Sequence, residues 1–377
     1  MRWRRTVGRA MAAALAILCS SVALASCGDD GYRRPRAEPG KVVTVLDAET
    51  PGVPPNARLT DIAVGKDNVL FVAFQVKGPA PGDPYTGLLL AVPAEGEPFV
   101  VADETEETFP EPTHFLPEAL TVDTSTSTLY LADPSSQRIR AIDADGGRRN
   151  VTEFSDGRIE GPPFTYLQRP LHLTIDSDSG ALYLADECQV AQIKGDEIAV
   201  IFGADGSPCS PDRNDDEQAT GGELSDTGVL AIEAVTSQIA GLAFDRKTGL
   251  LHLTDNRGLF RIEADGTLRR LAGEGTAPFP EGTVRHALEV DLEFSGGGPY
   301  DGGGIATDSA GTLYLGAPHD DLVVKLPTNR AVIEEVARFV EPRRLVVSAE
   351  GELFVALTPL VRSKPEPVVR VVALPGG

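Results

Sequence analysis

The 377-residue chain is poor in the residue types that carry most redox and metal chemistry: four Cys, five His, two Met and one Trp. No two cysteines stand at Cys-x-x-Cys spacing and no His pair accompanies them, which excludes the common zinc and thiol-redox motifs. Phosphate-cradling glycine loops, a dinucleotide fingerprint and a nucleophile elbow are also missing. No long stretch repeats its apolar residues at helical spacing, so a helical fold is excluded. Positive charge is in the minority. Lys and Arg number 34 against 56 Asp and Glu, a formal net charge of -22. Such a surface repels nucleic-acid phosphates and anionic lipid heads, and favours cations and basic partners.

The N-terminus carries the one basic cluster that matters for location. Arg2, Arg4, Arg5 and Arg9 precede an apolar run from Ala10 to Leu18 that continues weakly to Ala25. That run is too short to span a bilayer, which takes roughly 20 apolar residues. A basic start, a short apolar middle and a small-residue end are the pattern of a secretory signal. The end, Leu24-Ala25-Ser26-Cys27, resembles the bacterial lipobox, in which cleavage precedes a cysteine that becomes acylated. The expected organisation is a lipoprotein signal peptide over 1–26, lipidated Cys27 with a disordered tether over 27–40, and one domain over 41–377. Ordinary secretion with a chance cysteine is the alternative. Losing the four arginines would take the net charge from -22 to -26. Cys19 leaves with the signal and Cys27 is acylated, so Cys188 and Cys209 remain. In an exported chain they are expected to form one disulfide, two buried free thiols being the alternative.

A repeat runs through the rest of the chain. One unit reads Pro117-Glu-Ala-Leu-Thr-Val-Asp123, Leu129-Tyr-Leu-Ala-Asp133, Arg138-Ile-Arg-Ala-Ile-Asp143 and Asn150-Val-Thr-Glu-Phe154. Its second strand returns as Leu182-Tyr-Leu-Ala-Asp186, Leu251-His-Leu-Thr-Asp255 and Leu313-Tyr-Leu-Gly316, and more loosely at Leu70 and Leu353. Each unit holds about four short strands with alternating apolar residues and polar turns. Six such units predict an all-β chain folded as a single six-bladed β-propeller of four-stranded blades. The last unit supplies three strands, and Lys41–Asp47 offers the fourth. Pairing of N- and C-terminal strands would close the ring and remove its open edges.

The pattern P-x-x-L-x-x-D, L-Y-L-A-D, R-I-x-x-I at 117–143 resembles the NHL-repeat propellers, as do Leu268-Arg-Arg-Leu-Ala-Gly-Glu-Gly275 and Asp215-Asp-Glu-Gln-Ala-Thr-Gly-Gly-Glu-Leu224. The resemblance covers about 41–377 and is specific for the fold, not for one function.

In an antiparallel blade the connections after the first and third strands share one face, and they are short here. The others share the opposite face and are long, at 75–87, 103–116, 155–169, 204–238 and 274–302. Long Gly-, Pro- and acid-rich loops mark that face as the binding face. Aligning the units places Asp61, Glu118, His172, Gly241, Gly303, Gly304, Arg343 and Arg344 at the channel mouth there, with Asp133, Asp186, Asp255 and His319 at the ends of second strands. The three recurring Asp fit turn-capping roles. Glu118, His172 and Arg344 do not recur, so the repeat does not explain them. His252 stands where other units have Tyr130, Tyr183 and Tyr314, which predicts packing between blades.

Two readings of function follow. The first is a membrane-anchored, extracytoplasmic binding or scaffold propeller that takes a protein, peptide or envelope ligand on its long-loop face. The second is implied by the resemblance: metal-dependent hydrolases and lyases, with a divalent cation such as calcium at the mouth. Glu118 and Asp61 are the candidate ligands, but the Asn ligands of lactonase-type sites have no match. Lyase-type zinc sites need several His, and only His172 and His319 are available. Separately, Asp212, Asn214, Asp216 and Glu223 occupy positions 1, 3, 5 and 12 of a calcium loop. Glu217 replaces the required Gly, so only looser cation binding is expected there.

Overall fold

The computed structural model describes residues 32–78, 80, 83–103, 115–136, 138–153, 171–186, 188–203, 227–234, 236, 238–255, 258–273, 285–291, 303–328, 330–357 and 368–374. They form six antiparallel sheets arranged as a six-bladed β-propeller. Blade 1 runs outward through Ala57–Val64, Leu70–Lys77, Tyr85–Val92 and Phe99–Asp103. Blade 2 follows with Ala119–Asp123, Thr128–Asp133, Arg138–Ile142 and Arg148–Glu153, and blades 3 to 5 repeat the order. Blade 6 takes Pro342–Val347, Glu352–Leu357 and Val368–Ala373 from the C-terminal part and Val42–Leu46 from the N-terminal part. Val42 faces Val372 and Val43 faces Val371, so the expected closure is present.

The second strands show why this sequence makes a propeller. A strand sends alternate side chains to opposite faces, and here each face belongs to a different blade interface. In blade 2, Leu129 and Leu131 pack toward blade 1, while Tyr130 and Ala132 pack toward blade 3. Leu182 and Leu184 join that second cluster, whereas Tyr183 and Ala185 turn toward blade 4. The apolar residues thus gather in six clusters, one per interface. His252, in the tyrosine register, is buried as its position predicts. Burial lowers its pKa to about 4.

The tight turns carry their own logic. Asp176 closes its turn by accepting the Asp178 N–H at 3.0 Å, and Gly180, at φ 73°, supplies the left-handed residue that ends it. Asp123, Asp245 and Asp308 take the same role in their blades.

Three features depart from the expected layout. Blades 4 and 5 each gain a fifth, outermost strand, Thr227–Leu230 and Arg285–His286, drawn from the long inter-blade connections. A short 3-10 turn follows each, and Ala231 and Ala287 donate to Gly266 and Ala331 carbonyls at equivalent places. Third, the stretch expected to be free tether up to Gly40 is docked from Tyr32 onward. Arg34 is 4% exposed and donates to the Asn68 and Val92 carbonyls at 2.7 and 3.2 Å. The buried guanidinium explains why this stretch packs: it finds acceptors, the Glu352 carboxylate and the Phe354 ring in one place.

Candidate functional site

The inner strands surround a central cavity of about 180 Å³. Its ionisable residues share one level of the channel. Blade 1 contributes Asp61, blade 3 His172 and blade 6 Arg344, with Gly241 and Gly304 on the remaining wall. The sequence alignment therefore brought three of its candidates to one place.

Arg344 organises them. Its Nε donates to the Thr60 carbonyl at 3.2 Å and lies 3.5 Å from Asp61 Oδ1. Its Nη1 lies 3.4 Å from His172 Nδ1, so one guanidinium links blade 6 to blade 1 and, across the channel, to blade 3. Asp61 Oδ2 accepts the Leu120 N–H at 2.7 Å and Oδ1 the Ile62 N–H at 2.8 Å. Burial nevertheless outweighs Arg344 and these donors, and lifts the Asp61 pKa to about 6. His172 is pushed the other way: burial and the neighbouring guanidinium hold its pKa well below 6.5. With Arg344 at Nδ1 and a hydrogen bond to the Ile239 backbone, the imidazole is a neutral spacer.

Glu118 is buried at the same end, where Gln75 Nε2 donates to its Oε1 at 2.9 Å. The sequence reading missed Gln75. Its one signal was a polar residue in the otherwise apolar strand Leu70–Lys77. Asp133, Asp186 and Asp255 do not face the cavity chemistry. Asp186 Oδ1 accepts the Cys188 and Gln189 N–H groups, and Asp255 Oδ1 accepts Gly258 N–H. Asp133 accepts Ser135 Oγ and pairs with the buried Arg140 at 3.2 Å. These are turn and core roles. His319 is exposed on the 3-10 turn Pro318–Asp320 and does not line the cavity. Arg343 turns to Glu341 at 3.0 Å instead.

The glycines of the mouth answer to packing. A Cβ on Gly303 would lie 1.9 Å from the Gly316 carbonyl oxygen, and one on Gly304 2.8 Å from that of Arg343. Gly303 meets the second strand of its own blade and Gly304 the inner strand of blade 6, both too closely for a side chain.

A lactonase-type calcium would need more than this. Among the described residues no three His, Cys, Asp or Glu side chains gather where a metal ion could be held. Asp61 and Glu118 are two carboxylates, each already engaged by protein donors. The described residues do not fit such a centre. Asp212, Asn214, Asp216, Glu223, Cys209 and Cys27 lie outside the described residues.

Fold and cavity together define a six-bladed β-propeller with an ion-paired channel mouth. No protein-family model and no curated protein matches the chain. Among solved structures it is similar to a Bacteroides thetaiotaomicron protein of unknown function, at 11% identity and TM-score 0.55, covering 88% of this chain and 75% of that one. It is also similar to a gluconolactonase from Xanthomonas campestris, at 13% identity and TM-score 0.51, covering 85% and 87%. Identities this low establish the shared fold alone.

Proposed function

We propose that the protein is a binding propeller, held by a lipid on Cys27 outside the cytoplasmic membrane, that takes a protein, peptide or envelope-polymer ligand on its long-loop face. The supporting observation is the state of the channel mouth. Asp61 spends both oxygens on backbone donors and Arg344, and His172 is held neutral between Arg344 and a backbone group. A general base or metal ligand has to offer a free lone pair to the reacting group; here the carboxylate and the imidazole are engaged in contacts that tie blades 1, 2, 3 and 6 together. In the same reading a Cys188–Cys209 bridge pins the longest loop to its blade.

The test is capture of ligand from envelope extract by the mature protein and by a variant whose segment 212–223 is replaced by Gly and Ser. The replacement stops short of Thr227–Leu230 and Ala231, which belong to the sheet. Captured ligand should fall sharply; unchanged capture counts against the reading.

A second reading rests on Asp61. A carboxyl with a pKa of about 6 in a central cavity suits acid–base work near neutral pH. The likeness in fold to a gluconolactonase directs the assay toward lactones. Chelator that lowers the melting temperature, and turnover lost in both Asp61→Asn and Glu118→Gln, would favour it. No bound metal and no turnover would remove it.

A further inference from the structure

The docked segment ahead of the first strand has a direction. Its backbone and Arg34 lie at one end of the propeller, and only the Tyr32 side chain reaches along the closing strand, to Val45. Asn68, which accepts from Arg34, sits in the tight turn after the first strand of blade 1. Val92, the second acceptor, ends the third strand of that blade, and Glu95 and Glu97 in the next turn meet Arg33 and Tyr32. Glu352 opens the second strand of blade 6, and Ala373, the bridge partner of Pro39, closes its third. All of these belong to the tight-turn face. His172 and Arg344 stand toward the opposite end of their inner strands, and Asp61 is level with them, midway along the longer inner strand of blade 1.

The hold is firm. Arg34 lies 4.9 Å from the centre of the Phe354 ring and 3.5 Å from Glu352, and Tyr32 donates its hydroxyl to the Val45 carbonyl at 2.8 Å. The segment straddles the seam where blade 1 meets blade 6, and Tyr32 and Ala37 pack on the apolar cluster of that seam.

We infer that this strap sets the protein's orientation: the tight-turn face toward the lipid surface, the channel mouth and long loops away from it. The inference rests on the lipid-anchored reading above. Its force is a matter of reach. Six residue-to-residue steps lead from Cys27 to Arg33, and a fully extended chain covers about 20 Å over that number. The inner strand Ala57–Val64 alone, at about 3.3 Å per residue, stands about 26 Å tall. An anchor leaving the tight-turn face therefore cannot reach round the rim to bring the mouth against the bilayer. A ligand must arrive from the aqueous side, and a lipid of the same bilayer is not presented to the channel.

The experiment uses the full chain, processed in a bacterial host and reconstituted into vesicles with quencher-labelled headgroups. One fluorophore is placed at either end of blade 2: on Asp145→Cys in the tight turn, or on Ser135→Cys on the mouth side. Both positions are exposed. The unsubstituted protein controls for labelling of native thiols. Quenching several-fold stronger at position 145 than at 135 is expected. Inserting about fifteen Gly and Ser residues ahead of Tyr32 lengthens the reach by about 20 Å without touching the fold, and should bring the two positions together. Equal quenching, or stronger quenching at 135, in an acylated protein with its native strap overturns the orientation. Intact mass reports the anchor separately. A mature chain without acyl groups on Cys27 overturns the anchored reading itself, and the orientation falls with it.

Discussion

Arg34 and Arg344 are the same chemical group placed in opposite circumstances. Arg34 is sealed at the seam of the ring among two carbonyls, a carboxylate and an aromatic face. Carbonyls and rings do not titrate, so three of its four partners are fixed over the working pH range. Arg344 stands in an open cavity between a carboxyl and an imidazole whose pKa values are both displaced. Its surroundings change charge when the solution does. One arginine holds the structure together, and the other balances a cluster of ionisable groups.

The largest effect should come from breaking the first. Arg34→Ala strips two carbonyls and a half-sealed carboxylate of their donor, a change that costs about 3–5 kcal/mol for buried pairs. Denaturant unfolding should show this loss equally near pH 5 and about pH 8. Arg344→Ala should behave differently. Near pH 5 the Asp61 carboxyl is mostly protonated and needs no counter-charge; near pH 8 it is ionised and does. The loss should therefore grow with pH. An equal loss at both values would erase the distinction between the two arginines.

The channel carboxyl can be removed from the balance directly. Asp61 has a folded pKa of about 6, above the usual 3.8. The folded state keeps its proton longer, so this group's stabilisation is full below about pH 3.8 and is lost as pH rises through about 6. The loss amounts to about 3 kcal/mol at 1.4 kcal/mol per unit. Asp61→Asn should flatten that fall in chemical unfolding between about pH 4 and pH 7. An unchanged profile would mean that Arg344 holds the carboxylate charged throughout.

Much of this layout was legible in the sequence, for a physical reason. Each second strand serves two interfaces, so Leu-Tyr-Leu-Ala carries its apolar pattern on both faces and survives as a repeat. The closing strand was legible because a ring one strand short needs a partner for its edge. Glu118, His172 and Arg344 stood out because a repeat cannot account for residues that occur once, and of these His172 and Arg344 line the cavity with Asp61. The strap was illegible. Arg34 lies among Arg, Pro and Gly, the composition of a solvated linker, and its burial depends on Asn68, Val92 and Glu352, which are distant in sequence. The added strand Thr227–Leu230 was hidden in a long connection for a similar reason: four residues give too little alternation to register. His319 was misplaced by alignment, because the chain turns into a 3-10 segment at Pro318 and carries it to the surface.

The smallest effect at neutral pH should come from restoring the repeat at His252. Tyrosine fills this register in blades 3 and 5, where Tyr183 accepts from Gln192 and Tyr314 donates to Asp308. Blade 4 offers the matching neighbours, Asp245 in the turn and Arg261 across the strand. His252→Tyr should thus change stability by only about 1 kcal/mol near pH 7, the usual range for a tolerated core exchange. Its effect should appear in acid. His252 has its pKa lowered from 6.5 to about 4, chiefly by burial. The unfolded chain takes up that proton first, so the group's contribution is present above about pH 6.5 and is lost as pH falls through about 4. This runs against the Asp61 trend over nearly the same window, and the two partly cancel in the native protein. With tyrosine at 252 that share of the cancellation is gone, while His172 still acts in the same sense, and stability toward about pH 4 should rise by about 3 kcal/mol relative to the native profile. If the variant instead keeps the native acid profile, the imidazole is not the buried neutral group that its place between blades requires.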